Sequence, residues 1–398
     1  MKHIMTYHPL IIICLVLSCV HQGSTQSDMN DVLFSIKNNN KQIQAYSQYS
    51  EFEKLQYKVG LTLPNPTVGY DFMVGTPATA GNQNDLTITQ AFEFPTVYGR
   101  KKELSELQIA QLPYQAASVR QNILLEAQMT CNEIIYLKKM LSELTKRKES
   151  VEKLNRDFNK SLENGDGNII DVNKTKLQLV DVNASYRQYQ SQLQQAQLRL
   201  TSLNGGIEIN YMDSVYTEQM VSTTLETLVK ESLVQDPNLK YLESAKMIAQ
   251  QEIHVAKALT LPKMEVGYHY QGILGQRFQG GHFGFSIPLW ENRHLVQAKD
   301  AKRLHADKQL DAFIHQKQLE MRQVFDKYKN TKVILDEYKT VLSSLNNVSL
   351  LNKALEMGQI TTIEYFMETS YFYNTVDKYL LMEKTYYDLS FEMHKYKL

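Results

Sequence analysis

One ten-residue phrase is written twice. LTLPNPTVGY occupies residues 61–70 and LTLPKMEVGY occupies 259–268, with seven identical positions 198 residues apart in a chain of 398. A duplication on that scale constrains the fold strongly, because whatever the first half builds the second must build again. In each half a polar helical stretch (28–60 and 223–258) leads into L-T-L-P. Proline cannot continue a helix and pushes the preceding residue into an extended conformation. Each phrase therefore marks a helix stop.

Beyond each stop the side chains alternate. Val68, Tyr70, Phe72 and Val74 oppose Thr67, Gly69, Asp71 and Met73. Leu86, Ile88, Phe92 and Phe94 oppose Thr87, Thr89, Ala91 and Glu93, with Gln90 an exception on the apolar side. Val266, Tyr268 and Tyr270 oppose Glu265, Gly267 and His269; Phe283, Phe285 and Ile287 oppose His282, Gly284 and Ser286. Period two means strands with one apolar and one polar face. The expected strands are 66–74, 86–94, 264–272 and 282–288. They are joined pairwise by Gly-rich loops, GTPATAGNQN (75–84) and GILGQRFQGG (272–281), and each pair closes on a proline, Pro95 or Pro288.

Two long helical runs come next, 99–162 and 293–356. Both stop at a matching turn: SLENGDGNIIDV (161–172) aligns with ALEMGQITTIEY (354–365), Gly165 opposite Gly358 and Asp171 opposite Glu364, at the same offset of 193 that separates Pro95 from Pro288. Glycine after a helical run is the usual left-handed stop. A helix then returns in each half, 170–204 and 362–396. Heptads run along these helices, as in Leu179, Val182, Tyr186, Tyr189, Leu193, Ala196, Leu200 and Leu203, or Ile134, Leu137, Leu141, Leu144, Val151 and Phe158 with polar breaks at Lys148 and Asn155. Sustained 3.5-residue periodicity packs helices lengthwise. A run of about 64 residues spans roughly 95 Å, and each return helix covers half of that. The lengths therefore suggest four equal rods, the return helix 170–204 completed by 223–258 and the return helix 362–396 completed by 28–60. The expected organisation is a first repeat at 27–204 with its tip turn at 163–169, a linker at 205–222, and a second repeat at 223–398 with its tip turn at 357–361.

Four strands do not close a barrel, since the smallest membrane barrels use about eight. Left open, such a sheet exposes two edges and an apolar face. Each strand is close to the ~9–11 residues that cross a bilayer at a tilt. The consistent solution is several copies pooling strands into one barrel, apolar faces to lipid and polar faces to a wet lumen, with the helices continuing the cylinder. The fold class expected is mainly α with a small β part.

The N-terminus agrees with export. Lys2 and His3 precede the apolar run PLIIICLVLSCV (9–20), too short for a helical span, which needs ~20 residues, and suited to a secretory signal over 1–26. Val16-Leu17-Ser18-Cys19 resembles a lipobox that would make Cys19 a lipidated first residue; an ordinary cut near Gly23–Gln26 is the other route. Cys131 is then the one cysteine of the body, read as a small buried apolar residue. With 43 basic and 43 acidic residues, the chain lacks the basic surface that nucleic acid requires.

No catalytic, cofactor or metal constellation emerges. DFNKSLENGDGN (157–168) begins like a calcium loop, but Leu162 replaces the required glycine and Asn168 the closing acid. The glycines of 272–281 lie between two strands, where a phosphate loop would lie between strand and helix. His269 and His282 fall on polar strand faces, and Met357, Met367 and Met382 read as packing.

The duplicated helix–hairpin–helix plan, the prolines closing each hairpin and the repeated G-x-x-x-x-x-[DE] turn at Gly165–Asp171 and Gly358–Glu364 resemble the TolC-type outer-membrane efflux proteins over essentially the whole mature chain. FEFPTVYGRKKEL (92–104) resembles the heavy-metal branch of the Cus/Czc kind. The resemblance implies a homotrimer whose 12 strands form one barrel above an α-helical tunnel. It implies a passive exit duct in the outer membrane of a Gram-negative bacterium, coupled to a periplasmic adaptor (membrane fusion) protein and an inner-membrane transporter of the RND type. By the same resemblance the turns at Gly165 and Gly358 form the periplasmic tip where the adaptor docks, and Glu364, with Asp171 as counterpart, rings the closed entrance. A second acid three residues on is frequent in the family; Met367 stands there, with Glu368 next, and Lys174 holds the equivalent place in the first half. Two other readings stay open: the duct of a type I protein secretion system, and a secreted coiled-coil protein without a pore.

Overall fold

The computed structural model describes residues 28–216, 224–345 and 347–398. The signal segment 1–26 with Cys19, and residues 217–222 of the linker, lie outside the described residues. Helices α1 (Met29–Asn39) and α2 (Lys41–Gln56) lead to strands β1 (Thr67–Met73) and β2 (Gln83–Phe92), then to helices α3 (Pro95–Glu163) and α4 (Ile169–Leu203). The second half repeats the order: α5 (Leu225–Gln235), α6 (Pro237–Ala258), β3 (Lys263–Ile273), β4 (Gln276–Ser286), α7 (Leu295–Ser344), α8 (Asn347–Glu356) and α9 (Thr362–Met393). Helix α3 is unbroken for 69 residues, roughly 100 Å at ~1.5 Å per residue. Pro95 occupies its first turn, where the missing N–H costs nothing.

The strands form one antiparallel sheet in chain order, β1-β2-β3-β4. Its register keeps the apolar residues in phase: Val68 faces Ile88, Ile88 faces Tyr268, and Val266 faces Phe283. One face is therefore apolar across all four strands, and its side chains are exposed: Val68 66%, Tyr70 64%, Phe283 58% and Phe285 59%. The other face carries Thr67, Asp71, Asp85, Thr87, Glu265, His269 and His282. Gln90, the exception on the apolar face, donates to the Pro64 carbonyl at 2.7 Å.

Two strands differ from the sequence expectation. β2 begins at Gln83, ahead of the expected 86, because Gln83, Asn84 and Asp85 continue to pair with both neighbours. The stretch 272–281 is not a loop. β3 and β4 run to a two-residue turn at Leu274–Gly275, both with positive φ (49° and 80°), the pairing of signs that matches strand twist in a tight hairpin. Gly280 and Gly281 are strand residues whose missing side chains hide the alternation.

Three helical runs expected to be continuous are broken. Asn40 (ψ 123°) separates α1 from α2, and Asp236 (ψ 117°) separates α5 from α6. The two breaks are equivalent: Asn40 Oδ1 accepts the Gln42 and Ile43 N–H groups, and Asp236 Oδ1 accepts the Asn238 N–H. Leu345, extended at ψ 130°, separates α7 from α8. Ser343 and Ser344 just before it donate to the Thr340 and Val341 carbonyls, local bonds that compete with a continuing helix.

The half-length rods are completed crosswise to the expected pairing. The end of α4 meets the α1–α2 break: Asn40 Nδ2 donates to the Leu203 carbonyl at 2.7 Å, and Ser35 Oγ to Asn204 Oδ1 at 2.9 Å. The end of α9 meets α5, with Tyr396 Oη donating to Glu231 at 2.6 Å and Met393 packed in one cluster with Leu228. So α2 takes over from α4, and α6 from α9. Segment lengths imply four half-rods but not which ends meet.

A buried cluster at each junction holds this arrangement. Val32, Ile36, Ile134, Leu137, Ala196 and Leu200 form one; Leu228, Met321, Phe325, Tyr328, Tyr386 and Met393 form the other. Tyr328 and Tyr386 stack at 4.7 Å with their hydroxyls 2.6 Å apart. The heptad residues Ile134, Leu144, Val182, Ala196 and Leu200 are buried. The polar break Asn155 is partnered, donating to Thr175 Oγ1 of α4 at 2.8 Å. Cys131 is fully buried, and burial pushes its thiol up to about 12, leaving it inert as a nucleophile.

Candidate functional site: the helical tip

The two tip turns are built alike, atom for atom along the backbone. After α3, the Asp166 N–H donates to the Ser161 carbonyl and the Gly165 N–H to Leu162. After α8, the Gln359 N–H donates to Ala354 and the Gly358 N–H to Leu355. This is the paired closure of a helix through a left-handed glycine, with φ of 84° at Gly165 and 67° at Gly358. The return helices then start on capping side chains three residues after each glycine: Asn168 Oδ1 accepts the Ile170 N–H at 2.9 Å, and Thr361 Oγ1 accepts the Glu364 N–H at 3.2 Å.

Glycine is needed at these positions for different reasons. A Cβ on Gly165 or Gly358 would meet nothing within 4 Å, whereas on Gly167 it would lie 2.4 Å from the Leu162 backbone nitrogen. Gly165→Ala should therefore cost only the left-handed strain, about 1–2 kcal/mol. Gly167→Ala should cost more because backbone must move. Thermal unfolding of the two variants checks the order; equal losses would mean the turn is not closed this way.

The acids read from the sequence sit on the first turns of the return helices. Glu364 is exposed and its carboxylate turns back on its own cap, accepting the Thr361 N–H at 2.7 Å. Those bonds to Thr361, backbone first, hold its carboxyl below the usual glutamate range, so it is charged at neutral pH. Asp171 holds the equivalent place in α4 and is half-buried. Glu368 is exposed one turn beyond Glu364.

Between the return helices runs a groove of 740 Å³, lined by Leu177 and Asp181 of α4 and by Ile363, Phe366, Met367 and Tyr371 of α9. Leu177 is 71% exposed and Tyr371 77%. Apolar side chains this open beside a tip belong to a surface that meets something.

The seam between α3 and α9 was not visible in the sequence. Arg147 is forked onto Asp377, its guanidinium 4.5 Å from the Tyr373 ring centre and donating to the Tyr373 carbonyl at 3.4 Å. Lys139 pairs with Glu383 at 2.6 Å, and Asn132 donates to Asp388 at 2.6 Å and to the Lys384 carbonyl at 2.9 Å. The partners lie more than 200 residues apart along the chain, so no local pattern announces them. Among the described residues no group of three or more His, Cys, Asp or Glu is placed to hold a metal, and no helix is long and apolar enough to cross a membrane.

The geometry thus defines a class: a stalk of long paired helices with closed turns at one end and, at the other, an open four-stranded sheet with an exposed apolar face. Solved structures share this whole arrangement. The chain matches CusC, described in a crystallographic study of its folding and transmembrane channel formation, with a TM-score of 0.77 over 92% of this chain and 91% of that one at 12% identity. It matches the outer-membrane channel OprN at 0.76 over 92% and 89%, 12% identical, and the outer membrane protein VceC of Vibrio cholerae at 0.75 over 92% and 95%, 13% identical. No family model and no curated protein matches the sequence. The chain has the fold of the TolC-type outer-membrane channels, as the duplicated plan led one to expect.

Proposed function

We propose that the protein is the outer-membrane exit duct of a tripartite efflux pump, a homotrimer that conducts passively and is opened from its periplasmic end. One observation carries this reading: a four-stranded sheet whose in-phase apolar face lies open and whose edge strands β1 and β4 each have one paired neighbour among the described residues. Three copies joined β4 to β1 give 12 antiparallel strands with no edge left. The polar face then lines the lumen, and the helices extend the duct into the periplasm. The groove between α4 and α9 suits a helical hairpin of a periplasmic adaptor, itself bound to an RND-type inner-membrane transporter. The fold it shares with OprN, CusC and VceC supports this placement.

Purified protein in planar bilayers tests it. The expected record is small, discrete, cation-preferring current, because the tip rests closed. No current in bilayers that demonstrably contain the protein would contradict the duct; a wide-open channel without partners would contradict the closed tip.

Glu364 is assigned to the ring of acids at the entrance, with Asp171 and Glu368 beside it. Three carboxylates about a narrow pore attract cations. Glu364→Gln isolates the charge, because glutamine serves equally at this position of a capping box. Cation selectivity should fall several-fold, with stability lowered only by the lost charge at the helix start, under about 1 kcal/mol. Glu364→Ala should in addition lose up to about 1 kcal/mol of helix-start stability. Unchanged selectivity in Glu364→Gln would remove this acid from the pore.

A further inference from the structure

The two ends of the sheet differ in charge. The hairpin end, residues 72–84 and 272–277, carries a single charged side chain, Arg277. The four strand–helix junctions (57–66, 93–103, 256–263 and 287–294) carry seven Lys and Arg against three carboxylates. All three carboxylates are spoken for: Glu103 by Arg100 at 2.9 Å, Glu291 by Lys263 at 2.8 Å, and Glu93 by Lys263 at 4.0 Å. Lys58, Lys257 and Arg293 are exposed, and together with Lys101 they have no carboxylate partner among the described residues. Beside them the apolar face runs on past β4. Ile287 is 66% exposed, Leu289 68%, and Trp290, the single tryptophan of the chain, 79%.

From these features we infer that the junctions form a collar that binds anionic phospholipid headgroups of the membrane leaflet nearest the helices. The inference rests on the outer-membrane reading above and deepens it. An indole prefers the headgroup level of a bilayer, and exposed Lys and Arg at that level attract anionic lipid. The collar is continuous with the apolar face, so a bilayer on that face brings headgroups to these cations. The hairpin end offers only Arg277 against these seven cations, and the Tyr70 and Tyr268 hydroxyls midway along their strands bond toward it, to Asn84 and Gln279. The asymmetry fixes how deep the barrel sits and which leaflet it recognises.

The test uses the full protein in vesicles of phosphatidylethanolamine with and without phosphatidylglycerol. Flotation first establishes insertion; failure to insert would overturn the channel reading itself. In inserted protein, Trp290 fluorescence should be quenched most by lipids brominated near the headgroup and less by lipids brominated deep in the chain. Phosphatidylglycerol should be retained by the purified protein in preference to phosphatidylethanolamine. The triple variant Lys101→Gln, Lys257→Gln, Arg293→Gln should insert normally and lose that preference by about threefold or more. Insertion with no phosphatidylglycerol preference, or with Trp290 reached by aqueous iodide and by no brominated lipid, overturns the collar. Trp290 shielded from both quenchers also overturns it, placing the indole between subunits.

Discussion

Replacing Arg147 with glutamate should turn the resting duct into a leaky one, raising its conductance in planar bilayers several-fold without any partner protein. Arg147 is 8% exposed and its side chain ties α3 to α9 through both carboxylate oxygens of Asp377. Removing one partner of a buried, hydrogen-bonded pair costs about 3–5 kcal/mol; the figure is lower here because Asp377 is 39% exposed. Glutamate goes further and replaces attraction with repulsion at one level of the seam in every copy of the proposed trimer. Among the described residues the seam between α3 and α4 has only an exposed ion pair, Arg199–Glu126 at 3.0 Å, and rests on buried Val182, Ala196 and Leu200. The weakening therefore falls on one side of α3, and α9, which carries Glu364, is the helix set free. Arg147→Lys should give an intermediate result, since an ammonium supplies charge without the planar fork. Wild-type conductance in Arg147→Glu would mean that the seam does not hold the tip.

A second large effect separates the two faces of the sheet. Phe283→Arg should abolish accumulation of the assembled protein in the membrane, while His282→Arg, one residue earlier, should be tolerated. Phe283 stands on the apolar face opposite Val266, and His282 on the polar face opposite Gly267. Guanidinium on a lipid-facing strand costs about 2–4 kcal/mol at the bilayer midplane, and the trimer would bear three of them. On the lumen face the same group meets water. Membrane fractionation of the two variants reads the difference; equal tolerance of both would show that Phe283 does not face lipid.

Much of this architecture was legible because duplication supplies an internal control. The left-handed glycines at 165 and 358 share one offset with their caps, Asn168 and Thr361, and with Asp171 and Glu364, so each turn vouches for the other. The strand faces were legible wherever side chains alternate. They failed in the first half of β4, where Gly280 and Gly281 have no side chain to alternate and the turn sits on an unusual Leu274–Gly275 pair. Helix breaks at Asn40 and Asp236 were missed because an Asn or Asp within a polar helical stretch also reads as a solvated position. The crosswise completion of the rods depends on which helix ends meet in space, and half-rods of similar length carry no mark of that. The Arg147–Asp377 link was hidden for the same reason: its partners are 230 residues apart, and each sits among ordinary helix-surface charges.

The central claim is that this sheet is one third of a shared barrel, closed by β4 of one copy against β1 of the next. Cysteine pairs test it directly, in a background with Cys131→Ala. Tyr70→Cys in β1 is combined in turn with Gln279→Cys, Gly281→Cys and Phe283→Cys in β4, and oxidised in the membrane. At least one pair should give a ladder of covalent dimers and trimers that stops at the trimer. Oxidised protein that stays monomeric for every pair, or that ladders without limit, would contradict the closed three-copy barrel and the duct built upon it.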